Sequence, residues 1–365
     1  MIAHRFSLHG LPVVLETADP SLASFVQAHF EAEEGADPDA AIRVDLSWRW
    51  GPAGGLESLA RGPAGQPAER AGRGLFLWRE PGGGAARARW TRVPGFPELT
   101  MSFELSGHLP PRLRVGAACA YEPRGLGRRL EYLRPGRADR KRNRLFFKLM
   151  YHAVYYPIAW YLRRTRGWGW LHASAVTLPG GAAVLLAGMG GVGKSTLGLT
   201  LLSRPGARLL SDNLLFHDEQ RIYACPEPVR LDASALAGVA ASGVEPERTS
   251  LPLAAHPKPT YAVPRGSRAA AAAPGAVFFL RVAPDPGMED LPAAEAARLM
   301  AAGNDLAREI EDFRPCAALL EILSARRGGP EPAPPASLER LLGQARCVLF
   351  RIGADESVPA TAARL

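Results

Sequence analysis

The amino-acid sequence predicts an α/β protein: a nucleotide-binding core over residues 138–365, preceded by a mostly β region over residues 1–137. Three observations predict it. Residues 188–196 read Gly-Met-Gly-Gly-Val-Gly-Lys-Ser-Thr, a full G-x-x-x-x-G-K-[ST] phosphate-binding loop. Ahead of the loop, short runs alternate polar and apolar residues at the strand period. Behind it, apolar strand-like and helix-like runs follow one another, as in a sheet covered by helices.

In the N-terminal region, residues 5–16, 41–50, 74–79, 86–93 and 99–105 carry strand signals and suggest an antiparallel arrangement up to about residue 120. Residues 21–33 read as one amphipathic helix, and residues 51–73, rich in Gly, Ala and Pro, as a surface loop. The aromatic stretch 145–162 is interrupted by Lys148, His152 and Pro157, too polar and too short to span a bilayer. It reads as a buried helix kinked at Pro157, with attachment to a membrane surface as the other reading.

From residue 170 onward the expected order is a strand at 171–178, a Gly-Gly turn, a strand at 182–187, the loop, a helix at 196–202 and a strand at 207–211. Further strands are expected at 221–232 and 275–282, with an Ala- and Pro-rich excursion or lid at 233–273 between them. Helices follow at 292–302 and 307–324, then a Pro-rich linker at 330–335, a helix at 337–345 and a closing strand at 346–352. No internal repeat is present.

Of 365 residues, 47% are hydrophobic and 22% charged, which is globular composition and enough chain for two domains. The net charge is +8, but only Lys141, Lys148, Lys194 and Lys258 are lysines. The remaining positive charge is arginine in an Ala-, Gly- and Pro-rich background, which speaks for base composition of the coding sequence and against nucleic acid as a partner. The dense run from Arg124 to Lys148 reads as a solvated face or as a patch for an acidic partner. Cys119, Cys225, Cys316 and Cys347 are widely spaced, without a C-x-x-C pair, as expected of reduced buried thiols in a cytoplasmic protein. No signal-peptide pattern and no transmembrane segment is expected.

The chemistry concentrates in the loop. Gly188, Met189, Gly190, Gly191, Val192 and Gly193 supply backbone N–H groups aimed at the phosphates of a nucleoside triphosphate, and Thr196 continues the motif into the helix. Lys194 reaches the β- and γ-phosphates, and the Ser195 hydroxyl ligates Mg²⁺. Asp212 ends the apolar strand that follows the loop's helix, where a carboxylate can hold the metal or act as base. The sequence Ser211-Asp212-Asn213 is also good turn chemistry.

The order His172, strand, turn, strand, loop 188–196, helix, strand, Asp212 resembles the C-terminal catalytic domain of the HPr kinase/phosphorylase family, over roughly residues 165–285. That family shares its P-loop core with phosphoenolpyruvate carboxykinases. The resemblance implies an ATP- and Mg²⁺-dependent phosphotransferase in which Asp212 takes the proton of an attacking hydroxyl. His172 would orient that carboxylate or meet the γ-phosphate, and Lys194 would support the transferring group. The chain departs from the family where Asn213 replaces a second aspartate, and where Pro226-Glu227-Pro228-Val229-Arg230 stands in place of the family's Glu-Arg, Gly-rich segment. Arg230 reads as a phosphate clamp or as a surface residue, and so do Lys258, Arg265 and Arg268 in the excursion. The N-terminal region does not resemble the family's own, so the expected acceptor is a peptide, another protein or a small molecule rather than HPr. Family members often assemble through their catalytic domains, which makes a homo-oligomer one expectation. Asn213 also keeps a second class of function open, a nucleotide-binding regulatory or adaptor protein with little or no phosphotransfer.

Overall fold

The computed structural model describes residues 1–30, 40–50, 68–79, 85–106, 110–121, 125–127, 130, 133–248, 259–324 and 335–365. The chain is mixed α/β and divides into two compact units, Met1–Thr165 with Asp312–Pro330, and Arg166–Glu311 with Glu331–Leu365. The dividing line falls after residue 165 rather than at the expected 137/138. The cause is packing: the aromatic helices near 137–166 bury their side chains in the first unit, and pattern alone does not say which core an apolar helix joins.

The first unit is an eight-stranded sheet of β1 (Ile2–Leu8), β2 (Leu11–Thr17), β3 (Ile42–Trp50), β4 (Glu69–Gly72), β5 (Leu75–Arg79), β6 (Ala85–Val93), β7 (Phe96–Ser106) and β8 (Arg112–Tyr121), in the order β1-β2-β3-β8-β7-β6-β5-β4. The expected antiparallel arrangement is corrected at two places: β2 with β3, and β3 with β8, run parallel. Helix α1 (Pro20–His29), capped by Asp19, lies between β2 and β3 in sequence, and a crossover through a helix returns the chain in the same direction. The period-2 pattern holds: Ile42, Val44 and Leu46 are buried while Arg43 is exposed. Helices cover the apolar side. Phe146, on α2 (Arg137–Met150), meets Phe25 at 5.7 Å and Trp48 at 4.5 Å between ring centroids.

After α2 the chain forms a π-helical turn, Tyr151–Tyr155, and continues as α3 (Tyr156–Arg166). Pro157 has no N–H to offer the preceding turn, and the wider turn in front of it accommodates that loss. Residues 151–162 are buried, as expected, and no helix among the described residues is long and apolar enough to cross a membrane. The loop expected at 51–73 lies outside the described residues up to 67, and 69–72 is β4.

The second unit centres on a six-stranded mixed sheet. Its strands are β10 (Ser174–Thr177), β11 (Ala183–Gly188), β12 (Arg208–Ser211), β19 (Pro274–Ala283), β20 (Gly287–Asp290) and β21 (Arg346–Gly353), ordered β12-β10-β11-β19-β21-β20. Strands β11, β19 and β21 are mutually parallel, while the edges are antiparallel. Both faces are covered. On β11, Val184 and Leu186 face the helices α4 (Lys194–Thr200), α5 (Ala233–Ala240) and α9 (Val358–Ala363). Ala183, Leu185 and Ala187 face α6 (Ala293–Asp305) and α8 (Pro335–Leu342). Helix α7 (Arg308–Ser324) carries the division between the units within its length.

Two smaller sheets complete the unit. One holds β9 (Gly169–His172), β13 (Leu214–His217), β14 (Ile222–Ala224) and β18 (Ala271–Ala272), and the other β15 (Val229–Arg230), β16 (Glu247–Arg248) and β17 (Thr260–Ala262). The single strand expected at 171–178 is therefore two. Strand β9 pairs with β13 and β10 with β11, so the chain changes sheets at Ala173. The excursion expected at 233–273 contains α5 and two strands of the three-stranded sheet, β16 and β17, and its residues 249–258, Lys258 included, lie outside the described residues, as does most of the linker expected at 330–335.

Candidate functional site

The glycine-rich loop joins the end of β11 to the start of α4. Gly188 has φ +139°, and a Cβ there would lie 2.7 Å from the Leu280 carbonyl oxygen, so the neighbouring strand β19 leaves room only for glycine. Gly191 and Gly193 also have positive φ, turning the chain tightly before the helix begins at Lys194. Met189, at the loop's outer edge, is 68% exposed. The Lys194 ammonium is folded back inside the loop and donates to the carbonyl oxygens of Gly188 at 2.8 Å and Met189 at 3.1 Å. Burial lowers its pKa, against the opposing pull of Asp212 and Glu309.

Asp212 follows β12 and is buried. Its Oδ1 has no hydrogen-bond partner within ordinary geometry, and neither has Ser174 Oγ. Burial raises the Asp212 pKa; the hydroxyls of Ser195 and Ser174, and the charges of Arg230 and Lys194, work the other way without prevailing. The strand leading to it is secured by Ser211, whose hydroxyl reaches the carbonyl oxygens of Leu214 at 2.6 Å and Cys225 at 2.8 Å.

His172 ends β9, and Asn304 on α6 holds it in place. The Asn304 side chain accepts from the His172 N–H at 2.8 Å and donates to the Trp170 carbonyl at 3.0 Å, completing the strand's edge as another strand would. The imidazole is pushed down to about 4 by burial first, then by the cationic Lys194 and Arg230, and is therefore neutral at physiological pH. The Asn213 side chain works the other way, favouring the charged ring, without prevailing. Asn213 in turn donates to Glu227 Oε2 at 3.0 Å.

Arg230, on β15, points its guanidinium at Glu309, at the start of α7, 3.4 Å away. Burial alone would raise the Glu309 pKa, but the Arg230 charge, with a backbone hydrogen bond beside it, holds it below the ordinary carboxylate value. The structure thus brings together Lys194, Ser195, Asp212, His172, Asn213 and Arg230 from scattered elements. It adds Ser174, Glu227, Asn304 and Glu309, which sequence reasoning passed over. Ser174 lies on β10, past the change of sheets after His172, so strand spacing does not place it. Glu309 and Asn304 carried no signal, being helix residues whose spacing matches any solvated face. Arg268 is engaged elsewhere, its Nε donating to the Val263 carbonyl at 2.7 Å.

The donor set bears on a metal. Among the described residues no group of three His, Cys, Asp or Glu could hold one. The Ser195 hydroxyl and the unpartnered Asp212 oxygen are hard oxygen donors suited to Mg²⁺, a cation that takes one or two protein ligands and completes its shell from substrate phosphates and water. No protein-family model and no curated protein matches the chain.

Proposed function

We propose that the protein is an ATP-dependent phosphotransferase of the HPr-kinase-like kind, moving the γ-phosphoryl group to a hydroxyl on a peptide, protein or small-molecule acceptor. The observation that carries this reading is the convergence of Lys194 and Ser195, at the end of the glycine-rich loop, with the buried and incompletely bonded Asp212.

Lys194 is held among carbonyl oxygens that anionic phosphates would replace as its partners, so a ligand can take the ammonium without a change in burial. Bound Mg²⁺ would neutralise charge on the phosphates, with Ser195 and Asp212 as the residues to hold it. Asp212 accepts the acceptor's hydroxyl proton as the new O–P bond forms and the bond from the γ-phosphorus to its bridging oxygen breaks, leaving ADP. Burial makes this carboxylate more basic than one in water, which favours that role. Neutral His172 donates or accepts a hydrogen bond beside the reacting groups without adding charge, and Arg230 supplies a cation that Glu309 orients.

The test is transfer of label from γ-labelled ATP, with Mg²⁺, to peptides and metabolites fractionated from source cells. Wild type should label an acceptor, and Asp212→Asn should lower the rate by about 10²–10⁴ while ATP binding persists. Lys194→Ala should abolish both binding and transfer. Tight ATP binding by wild type, with no labelled acceptor and no phosphate release above Asp212→Asn, would overturn the reading in favour of a nucleotide-gated adaptor.

A further inference from the structure

The eight-stranded sheet of the first unit has one face covered by helices and another that carries charge. Side chains alternate along each strand, so Arg43 and Asp45 on β3 point away from the buried Ile42, Val44 and Leu46. On that outer face a row of cross-strand partners runs from Arg5 on β1 through Arg43, Arg114, Glu104 and Arg87 to Trp78 on β5. The row crosses seven strands, roughly 29 Å at about 4.8 Å between neighbours. The adjacent row sets Phe76 against Arg89, Arg89 against Ser102 and Ser102 against Gly116. Leu77 is buried, and Phe76 and Trp78 on either side of it are half-exposed on the outer face, their ring centroids 6.5 Å apart. Arg5, Arg43, Arg87, Arg89, Arg112 and Arg114 outnumber the carboxylates there. Glu16 lies 2.8 Å from Arg43, Asp45 3.8 Å from Arg114 and Glu104 3.5 Å from Arg87. Glu98, near the start of β7, is met by Lys141 of α2 at 3.7 Å.

We propose that this outer face binds single-stranded RNA. Unstacked bases lie on aromatic rings and on guanidinium planes, while arginines also pair with the phosphates between them. Trp78 opposite Arg87 and Phe76 opposite Arg89 put a ring and a guanidinium side by side twice, which suits a base and its neighbouring phosphate. Farther along the face Arg43, Arg112 and Arg114 line a recess of about 260 Å³ with Glu104 and Ser106, with room for a phosphate. The floor between is low: a Cβ at Gly116 would lie 2.3 Å from Ser102 Oγ, and Thr100 pairs with Ala118. The short hydroxyl side chains of Ser102 and Thr100 can exchange hydrogen bonds with ribose 2′-hydroxyls, which favours RNA over DNA. Arginine set by base composition alone would be scattered. Here it shares one face with two rings, which reverses the expectation against nucleic acid. An acidic polypeptide would use the arginines and leave the rings idle. The surface lies within the first unit, and binding there needs no phosphotransfer.

Fluorescence anisotropy of fluorescein-labelled oligouridylate titrated with the full chain tests it. Wild type should bind at low salt and lose affinity by about tenfold or more between about 50 and 200 mM salt, as displaced counterions return to the phosphates. Arg5→Glu with Arg114→Glu should weaken binding by about tenfold or more, with a nearly unchanged melting temperature because both side chains are exposed. Phe76→Leu with Trp78→Leu keeps the positions apolar and removes the rings, and should weaken binding by about tenfold. Trp78→Tyr keeps a ring and should stay within about threefold of wild type. The proposal is overturned by absence of binding, by full retention in the arginine or the leucine variant, or by an oligodeoxyuridylate of the same length binding as tightly. Displacement of the RNA by polyglutamate, with full retention in the leucine variant, makes the face a dock for an acidic polypeptide and overturns the RNA reading.

Discussion

Asp212 and His172 are both driven toward their neutral forms by burial, and each leaves a mark on stability with pH. Because the Asp212 pKa is raised on folding, its contribution is complete below the unfolded carboxylate value, about 3.9, and is lost as pH rises through the folded value. Asp212→Asn should therefore melt above wild type at mildly alkaline pH, with the gap narrowing as the solution is acidified toward the carboxylate range. Scanning fluorimetry without nucleotide across that range checks it. His172 has the opposite sign: its pKa falls from 6.5 to about 4 on folding, so its contribution is present above 6.5 and is lost as pH falls toward 4. Carbon-detected NMR of the imidazole should show it neutral well below pH 6.5, and His172→Gln should flatten the stability profile between the two values. Lys194, Ser195 and Asp212 were legible in the sequence because loop chemistry demands those residue types at those spacings. The influence of Asn213 on His172 was not, because it depends on how the turn after β12 is folded.

At the scale of elements, the site depends on how α4 approaches the sheet. Gly198 lies in the middle of that helix, and a Cβ there would come 2.3 Å from Ser174 Oγ and 3.3 Å from Ser174 Cβ. Alanine is the better helix former by about 1 kcal/mol, so Gly198→Ala would stabilise an isolated helix. Here it should destabilise instead, by about 1–3 kcal/mol, as the helix is pushed off β10. Ser174→Ala in the same chain should recover much of the loss, and urea titration of the single and double variants reads both. On β11, Leu186 is 1% exposed and packed between sheet and helices, so Leu186→Ala should cost about 2–5 kcal/mol in the same titration. Strand β11 and the loop were readable because a buried strand, tight glycine turns and a helix start leave local signatures. The division of 171–178 into β9 and β10 left none: the run is apolar throughout, and its two halves differ only in the strands they meet.

For the whole molecule, the proposed nucleotide is also a stabiliser. A ligand that binds only the folded state at a hundredfold excess over its Kd adds about 2.7 kcal/mol, so Mg²⁺-ATP should raise the melting temperature of wild type and leave that of Lys194→Ala unmoved. The mixed α/β character, the β-rich N-terminal sheet and the existence of the loop were determined by the sequence itself. They follow from side-chain period, from turn residues and from glycine's access to positive φ, all of which act between near neighbours in the chain. Tertiary structure alone decided that β2, β3 and β8 run parallel, that the aromatic helices join the first unit, and that Asn304 and Glu309 attend His172 and Arg230. Those outcomes depend on which sheet edges and helix faces meet across long stretches of chain. An Asn or Glu on a helix surface has the same local pattern whether it faces water or a buried cation, so only the packed fold distinguishes the two.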